Sequence, residues 1–186
     1  MNAWLPQWAH SHSAIIITSD YRLLPEANAS DILSDLRSLW DWIHSNLPSV
    51  LNAHFKSLTH SADLSRVALV GGSAGGYCAI QQALDHPDDI RALLLAYPLL
   101  DLESDFMAKG TGATTVLGMT PIPKTEVEAQ LKGLEPGTVV TMGGFERMPL
   151  GISIYAAGLL HQVMGDLKDV IPFQRIRDGG KLPRKV

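Results

Sequence analysis

The stretch VALVGGSAGGYCAI, residues 67–80, limits what this chain can fold into more than any other. An apolar, β-branched run stops at Gly71 and Gly72. Ser73 and Ala74 follow, then Gly75 and Gly76, then a series of helix formers. A buried strand that passes into a helix through so short a joint brings two backbones close together, and only small side chains fit beside it. The pattern G-x-S-x-G predicts a sharp strand-to-helix turn that lifts the Ser73 hydroxyl clear of the sheet as a candidate nucleophile. The amide of Ala74, at the helix N-terminus, is the candidate oxyanion donor, through a hydrogen bond and the helix dipole. Two other glycine-rich readings fail. A phosphate-binding P-loop needs Gly-Lys-Ser/Thr and there is no lysine nearby, while the dinucleotide fingerprint G-x-G-x-x-G meets Ser73 where its second glycine belongs.

The surrounding sequence fits a three-strand βαβαβ core over residues 14–98. AIIIT (14–18), RVALV (66–70) and RALLLA (91–96) are apolar with almost no alternation, which predicts strands covered on both faces. Ile32, Leu36, Leu39, Trp40 and Ile43 recur at helical spacing between the first two, with Ser30 as the expected N-cap and Pro48 as the stop. Leu51, Phe55 and Leu58 add a turn or two to that crossover. A second helix is expected from about Gly75 to Leu84, ending near His86-Pro87. The handedness rule closes such a unit into a right-handed parallel sheet. Residues 99–165 are irregular and rich in Pro and Gly, with short helical spacing at 126–131 and a helix expected over 149–164. Residues 166–186 end in the polar, basic RIRDGGKLPRKV. Long irregular insertions in a compact domain are often lids. The 186 residues thus read as a single partial α/β domain with a core, a cap-like region and a tail.

Composition narrows the partners. A formal charge of −4 with no basic block argues against nucleic acid. A single cysteine, Cys78, excludes an internal disulfide framework and reads as a small buried apolar residue. ALLLAYPLL, the longest apolar run, is far shorter than the roughly 20 residues that span a bilayer, and the first residues lack a signal-peptide pattern, so a cytoplasmic chain with no membrane span is expected.

DYRLLPE (20–26), VALVGGSAGG and AYPLLDL (96–102), taken together, resemble the α/β-hydrolase-fold esterases and lipases of the hormone-sensitive-lipase-like group. The resemblance covers roughly Ile15 to Pro98 and implies a three-layer sandwich around a mostly parallel, here incomplete, sheet. It also implies that Ser73 is the nucleophile of a carboxylic ester hydrolase, that Asp20 and Arg22 are structural, and that the stretch after Pro98 is the cap. The HGGG-type loop that such relatives carry before DYRLLPE, and the acid and histidine that complete Ser…Asp…His, have no match here. By resemblance the chain is the middle of a hydrolase, truncated at both ends.

No local residue stands in for the base. His161, projected along a continuous 149–164 helix, falls half a revolution from the apolar stripe, as a solvated residue. His86 lies at the far end of the elbow helix. His10, His12, His44, His54 and His60 show no ligand spacing, so neither metal nor cofactor is expected. Asp101, Glu103 and Asp105 read as a solvated acidic loop after the last strand. Met119, Met142, Met148 and Met164 read as loose core ahead of an acyl pocket. Two functions follow. One is a serine hydrolase of small apolar esters, with little activity expected of a chain that lacks its histidine. The other is a catalytically silent homologue that binds a ligand or partner, or serves a biosynthetic step, with exposed sheet edges open to self-association.

Overall fold

The computed structural model describes residues 3–55 and 61–183. Along the chain run α1 (Trp4–Ser11), α2 (Ala29–Ser45), α3 (Leu47–His54), β1 (Val67–Gly72), α4 (Ala74–Asp85), β2 (Ile90–Ala96), α5 (Asp105–Ala108), α6 (Lys124–Lys132), α7 (Met148–Ala156), α8 (Leu160–Met164) and α9 (Pro172–Arg177). Leu58 and His60 lie outside the described residues. β1 and β2 form a parallel pair in which Leu69 faces Leu93, Val70 faces Leu94 and Gly72 faces Ala96. They are joined by α4 in the β-α-β order expected of the sequence.

The expected first strand does not form. Residues 14–18 are extended but make no ladder, and Ile15 and Ile17 are exposed. Side-chain pattern gives a segment β propensity, but a strand exists only where a neighbour accepts its backbone bonds. The expectation that both faces of the strands are covered is also corrected. The Leu69, Gly71, Leu93 and Leu95 side turns toward α4 and is partly buried, whereas Val70 and Leu94, on the other face, are about half exposed.

The core is built on α4. Every residue from Gly76 to Leu84 is buried, because the helix is sandwiched between the sheet on one side and α2 and α9 on the other. Ala29, Ile32, Leu33 and Leu36 of α2 pack with Tyr77 and Cys78 of α4, together with Leu102, Met107, Met164, Val170 and Ile171. The α2 stripe is the one expected, but its cap is not Ser30. Asn28 accepts from the Asp31 amide, and the Asp31 carboxylate accepts from the Asn28 amide, a reciprocal capping box. α2 ends at Ser45, ahead of Pro48 as expected, and a new helix starts at once. Pro48 occupies the first turn of α3, where a missing N–H costs nothing.

Residues 170–177 are tied to α4. The Tyr77 hydroxyl and Gln81 Nε2 both donate to the buried Val170 carbonyl, at 2.9 and 2.6 Å, and Arg175 of α9 reaches back to Gln81 Oε1 and Asp85. The expected 149–164 helix is two helices. Gly158, at φ +70°, breaks it, and a Cβ there would meet the Lys109 carbonyl carbon at 2.6 Å, so the chain crosses itself at Gly110 and Gly158. Val127, Ile154 and Leu159 form a second, smaller apolar cluster in the cap-like region.

Trp40 of α2 stacks on the His86 ring at the C-terminal end of α4, with centroids 4.1 Å apart, and meets the His44 ring at 4.4 Å in a tilted contact of 40°. Burial holds the His86 pKa below its ordinary value against the pull of Asp85 and Asp89. The unfolded chain therefore takes up this proton at a higher pH than the folded one. Stability should fall as pH drops through the unfolded histidine's value of about 6.5 and level off below the depressed folded value. Urea midpoints across this range should show that slope, and His86→Phe, which keeps the stack, should flatten it relative to wild type.

Candidate active site

The turn between β1 and α4 has the geometry that the small residues permit. Ser73 sits at φ +53°, ψ −123°, a conformation that side-chain-bearing residues rarely adopt. Its amide donates to the Ala96 carbonyl at 3.0 Å, the last bond of the ladder, and its carbonyl accepts the Tyr77 amide at 3.1 Å. Ser73 is the N-cap residue of α4, a place where serine hydroxyls normally bond the first turn, yet it makes no such bond. The residue is exposed. Ala74, also exposed, opens the helix with an amide that no intrahelical carbonyl can accept. A hydroxyl and an amide without hydrogen-bond partners among the described residues thus lie at the N-terminus of a twelve-residue helix, at the carboxyl ends of β1 and β2.

Two close glycine approaches shape the turn. A Cβ on Gly71 would lie 2.1 Å from the Gly75 carbonyl oxygen, and one on Gly76 would lie 2.7 Å from Pro98 Cβ. By contrast, a Cβ on Gly75 meets nothing within 4 Å. The glycine that closes the G-x-S-x-G pentad is therefore less constrained than the one after it.

The other candidate residues lie elsewhere. His161 is partly buried and its Nε2 donates to the Leu102 carbonyl at 2.5 Å. The solvated position expected for it assumed a continuous helix, and the break at Gly158 resets the phase. His12 and His44 turn their Nδ1 atoms to backbone carbonyls one helical turn back, those of Trp8 and Trp40. His86 ends a helix about 18 Å long that begins at Ser73. Among the described residues none of these histidines meets Ser73, and no group of three or more His, Cys, Asp or Glu side chains is placed to hold a metal. Cys78 is buried against Tyr21, with burial pushing its thiol up to about 11, so it is no thiolate nucleophile. Asp105 pairs with Lys109 and Glu103 with Arg177 at the surface. The methionines make no common pocket: Met164 is in the core, whereas Met142 and Met148 are exposed. The cavities near residues 128–165, of about 270–280 Å³, are lined by Leu131 and Gln162 and do not include Ser73.

Sequence reading missed how DYRLLPE works. Arg22 clasps both acids of the first turns of α2, with Nη1 2.9 Å from Asp31 and Nη2 2.8 Å from Asp35, while its amide donates to Asp35 at 2.9 Å. The guanidinium's hydrogen bonds hold the Asp35 carboxyl below the usual carboxylate range. Leu23 N–H donates to the Val140 carbonyl, and Arg147 bonds Glu26 and the Leu24 carbonyl, so the same segment anchors the cap-like region. Two acids four residues apart on one helical face, facing an upstream arginine, were the available signal.

A parallel β-α-β unit whose joint throws a serine out at positive φ defines an α/β hydrolase, and the chain belongs to the α/β hydrolase fold family, which matches residues 1–143. Over 95 residues it is 44% identical to a probable carboxylesterase of Phoma sp., covering 50% of this chain and 29% of that protein. It is 34% identical over 179 residues to a probable carboxylesterase of Cochliobolus lunatus, covering 91% of this chain and 80% of that one. A non-reducing polyketide synthase of Preussia isomera is 32% identical over 141 residues, which are 72% of this chain and 6% of the synthase. No solved structure gives a significant match. By similarity this is a carboxylesterase-like α/β hydrolase, and no helix among its described residues is long and apolar enough to cross a membrane.

Proposed function

We propose that Ser73 is the nucleophile of a serine carboxylic ester hydrolase acting on small apolar esters. The observation that carries this reading is the backbone of Ser73: a positive-φ serine at a strand–helix joint whose hydroxyl declines the helix cap it could make. Backbone strain of this kind costs about 1–3 kcal/mol and persists where the surroundings enforce it, commonly at functional sites. In the reaction Oγ bonds to the ester carbonyl carbon and its proton passes to a base. The carbonyl oxygen becomes an oxyanion facing the Ala74 amide. Collapse of the adduct breaks the bond to the alkoxide, which takes that proton back and leaves as the alcohol. Water then cleaves the acyl-serine to release the acid and restore Ser73. The base is not one of the histidines placed above. The names of the two carboxylesterase relatives support an ester substrate.

The experiment is labelling of the purified, folded chain with a fluorescent fluorophosphonate. Labelling that disappears in both Ser73→Ala and Ser73→Gly is expected. Its rate reports the base, since an elbow without its histidine retains only about 10³ to 10⁴-fold acceleration over water. Ser73→Gly should also raise the urea midpoint above that of Ser73→Ala, by the equivalent of about 1 kcal/mol, because glycine relieves the positive φ. A folded chain that stays unlabelled, or labelling that survives Ser73→Ala, overturns the assignment. The first of these results would favour the silent, ligand-binding homologue.

A further inference from the structure

We infer that Tyr97 is a preformed wall of the substrate site beside Ser73, against which the apolar arm of an ester lies. This deepens the reading of Ser73 as a nucleophile and rests on it. Tyr97 follows the last residue of β2, at φ +42°, and its side chain is among the most exposed large apolar groups in the chain, at 82%. An aromatic residue at positive φ is a strained conformation. Being followed by Pro98, it is further excluded from the right-handed helical region. Its neighbours on both sides fix it there. Pro98 is wedged against Gly76, whose added Cβ would sit 2.7 Å from Pro98 Cβ, and the Ala96 carbonyl is held by the Ser73 amide at 3.0 Å.

The ring is then laid along the turn itself. A Cβ on Gly72, the residue before Ser73, would touch Tyr97 Cε2 at 3.4 Å and Cζ at 3.5 Å, ordinary contact distances. The ring edge therefore stands over Gly72, the residue next to Ser73, its hydroxyl has no hydrogen-bond partner among the described residues, and most of its surface is exposed. Exposing a large rigid aromatic at a strained backbone position is costly to the fold alone, yet it suits a binding surface, because tyrosine offers wide contact area with little side-chain entropy to lose. An ester carbonyl seated on Ser73 Oγ places its nearest apolar substituent against this ring. The shared chemistry is an apolar chain of several carbons on either the acyl or the alcohol side of the ester.

The test uses the full chain carrying Ser73→Ala, so that ligand is bound and not turned over, with fluorotyrosine at its four tyrosines. Tyr97→Phe assigns the Tyr97 signal in fluorine NMR. Methyl hexanoate probes the acyl arm and hexyl acetate the alcohol arm. A saturable shift of the Tyr97 resonance with at least one of them is expected, with the buried Tyr77 signal unmoved. Tyr97→Ala should weaken that ester about fivefold to tenfold in a ligand-side measurement such as saturation transfer, while Tyr97→Phe should bind as wild type. A Tyr97 signal that stays fixed while ligand binds elsewhere overturns the inference, and so does the absence of binding by both esters. A shifted Tyr97 in a chain whose Ser73 resists fluorophosphonate leaves the subsite standing and removes the nucleophile. Labelled Ser73 with an unmoved Tyr97 does the reverse.

Discussion

Gly71→Ala should cost the chain most of its stability, whereas Gly75→Ala should leave it as stable as before or slightly more so. Both glycines belong to the same pentad and look equivalent in the sequence. At Gly71 a methyl group would stand 2.1 Å from the Gly75 carbonyl oxygen, 2.5 Å from its carbon and 2.8 Å from the Gly76 nitrogen. These are backbone atoms of the first turn of α4 and cannot rotate aside, so strand and helix would have to separate. Overpacking against movable side chains costs about 1–3 kcal/mol, and a rigid backbone contact should reach or exceed the top of that range. A domain of this size has only about 5–15 kcal/mol to lose. At Gly75 a methyl group meets nothing within 4 Å, and alanine is favoured over glycine within a helix by about 1 kcal/mol. Urea denaturation of the two variants beside wild type reads the contrast directly. Equal midpoints would mean that β1 and α4 do not meet at Gly71 as described.

The second large effect is expected from Gln81→Leu. Gln81 is fully buried, and its two amide ends do different work: Nε2 donates to the Val170 carbonyl and Oε1 accepts from Arg175. Leucine fills similar space but leaves the Arg175 guanidinium short of an acceptor and Val170 with Tyr77 alone. Arg175 is part-buried and keeps Asp85, so the loss of one acceptor for it and one donor for Val170 should together cost about 1–3 kcal/mol. Tyr77→Phe removes the other donor to Val170 and should cost only about 1 kcal/mol, since Gln81 still serves that carbonyl. Because these bonds fasten residues 170–177 to α4, Gln81→Leu should also open that segment to limited proteolysis well before global unfolding. Resistance equal to wild type would show that α9 is held without Gln81, by its apolar contacts, the Arg175–Asp85 pair and the Tyr77 bond to Val170.

What the sequence made legible was local. The elbow announced itself because its chemistry is written in adjacent residues, and α2 and α4 because their stripes repeat within a few turns. The errors share one cause, dependence on distant partners. AIIIT has every mark of a strand, yet no neighbour pairs with it in the described chain. The 149–164 stripe runs smoothly through Gly158, and only the crossing at Gly110 shows why the helix must stop there. His161 was placed by a phase that this break invalidates. The polar look of RIRDGG hid Arg175, whose partners Gln81 and Asp85 lie some ninety residues upstream. Tyr97 carried no signal at all in AYPLLDL, because what distinguishes it is a backbone angle and an uncovered ring.

GGSAGG and AYP fit against each other at three points: the Ser73 amide donates to the Ala96 carbonyl, and a Cβ added at Gly72 or Gly76 would meet Tyr97 or Pro98. Though twenty-odd residues apart in the chain, they are one mechanical part. Anyone who recombines this protein with its relatives inherits that restriction. A breakpoint placed between them, even in the permissive turn at residues 86–89, would join halves machined for different counterparts, whereas exchanges made before Val67 or beyond Pro98 would carry the whole joint across intact.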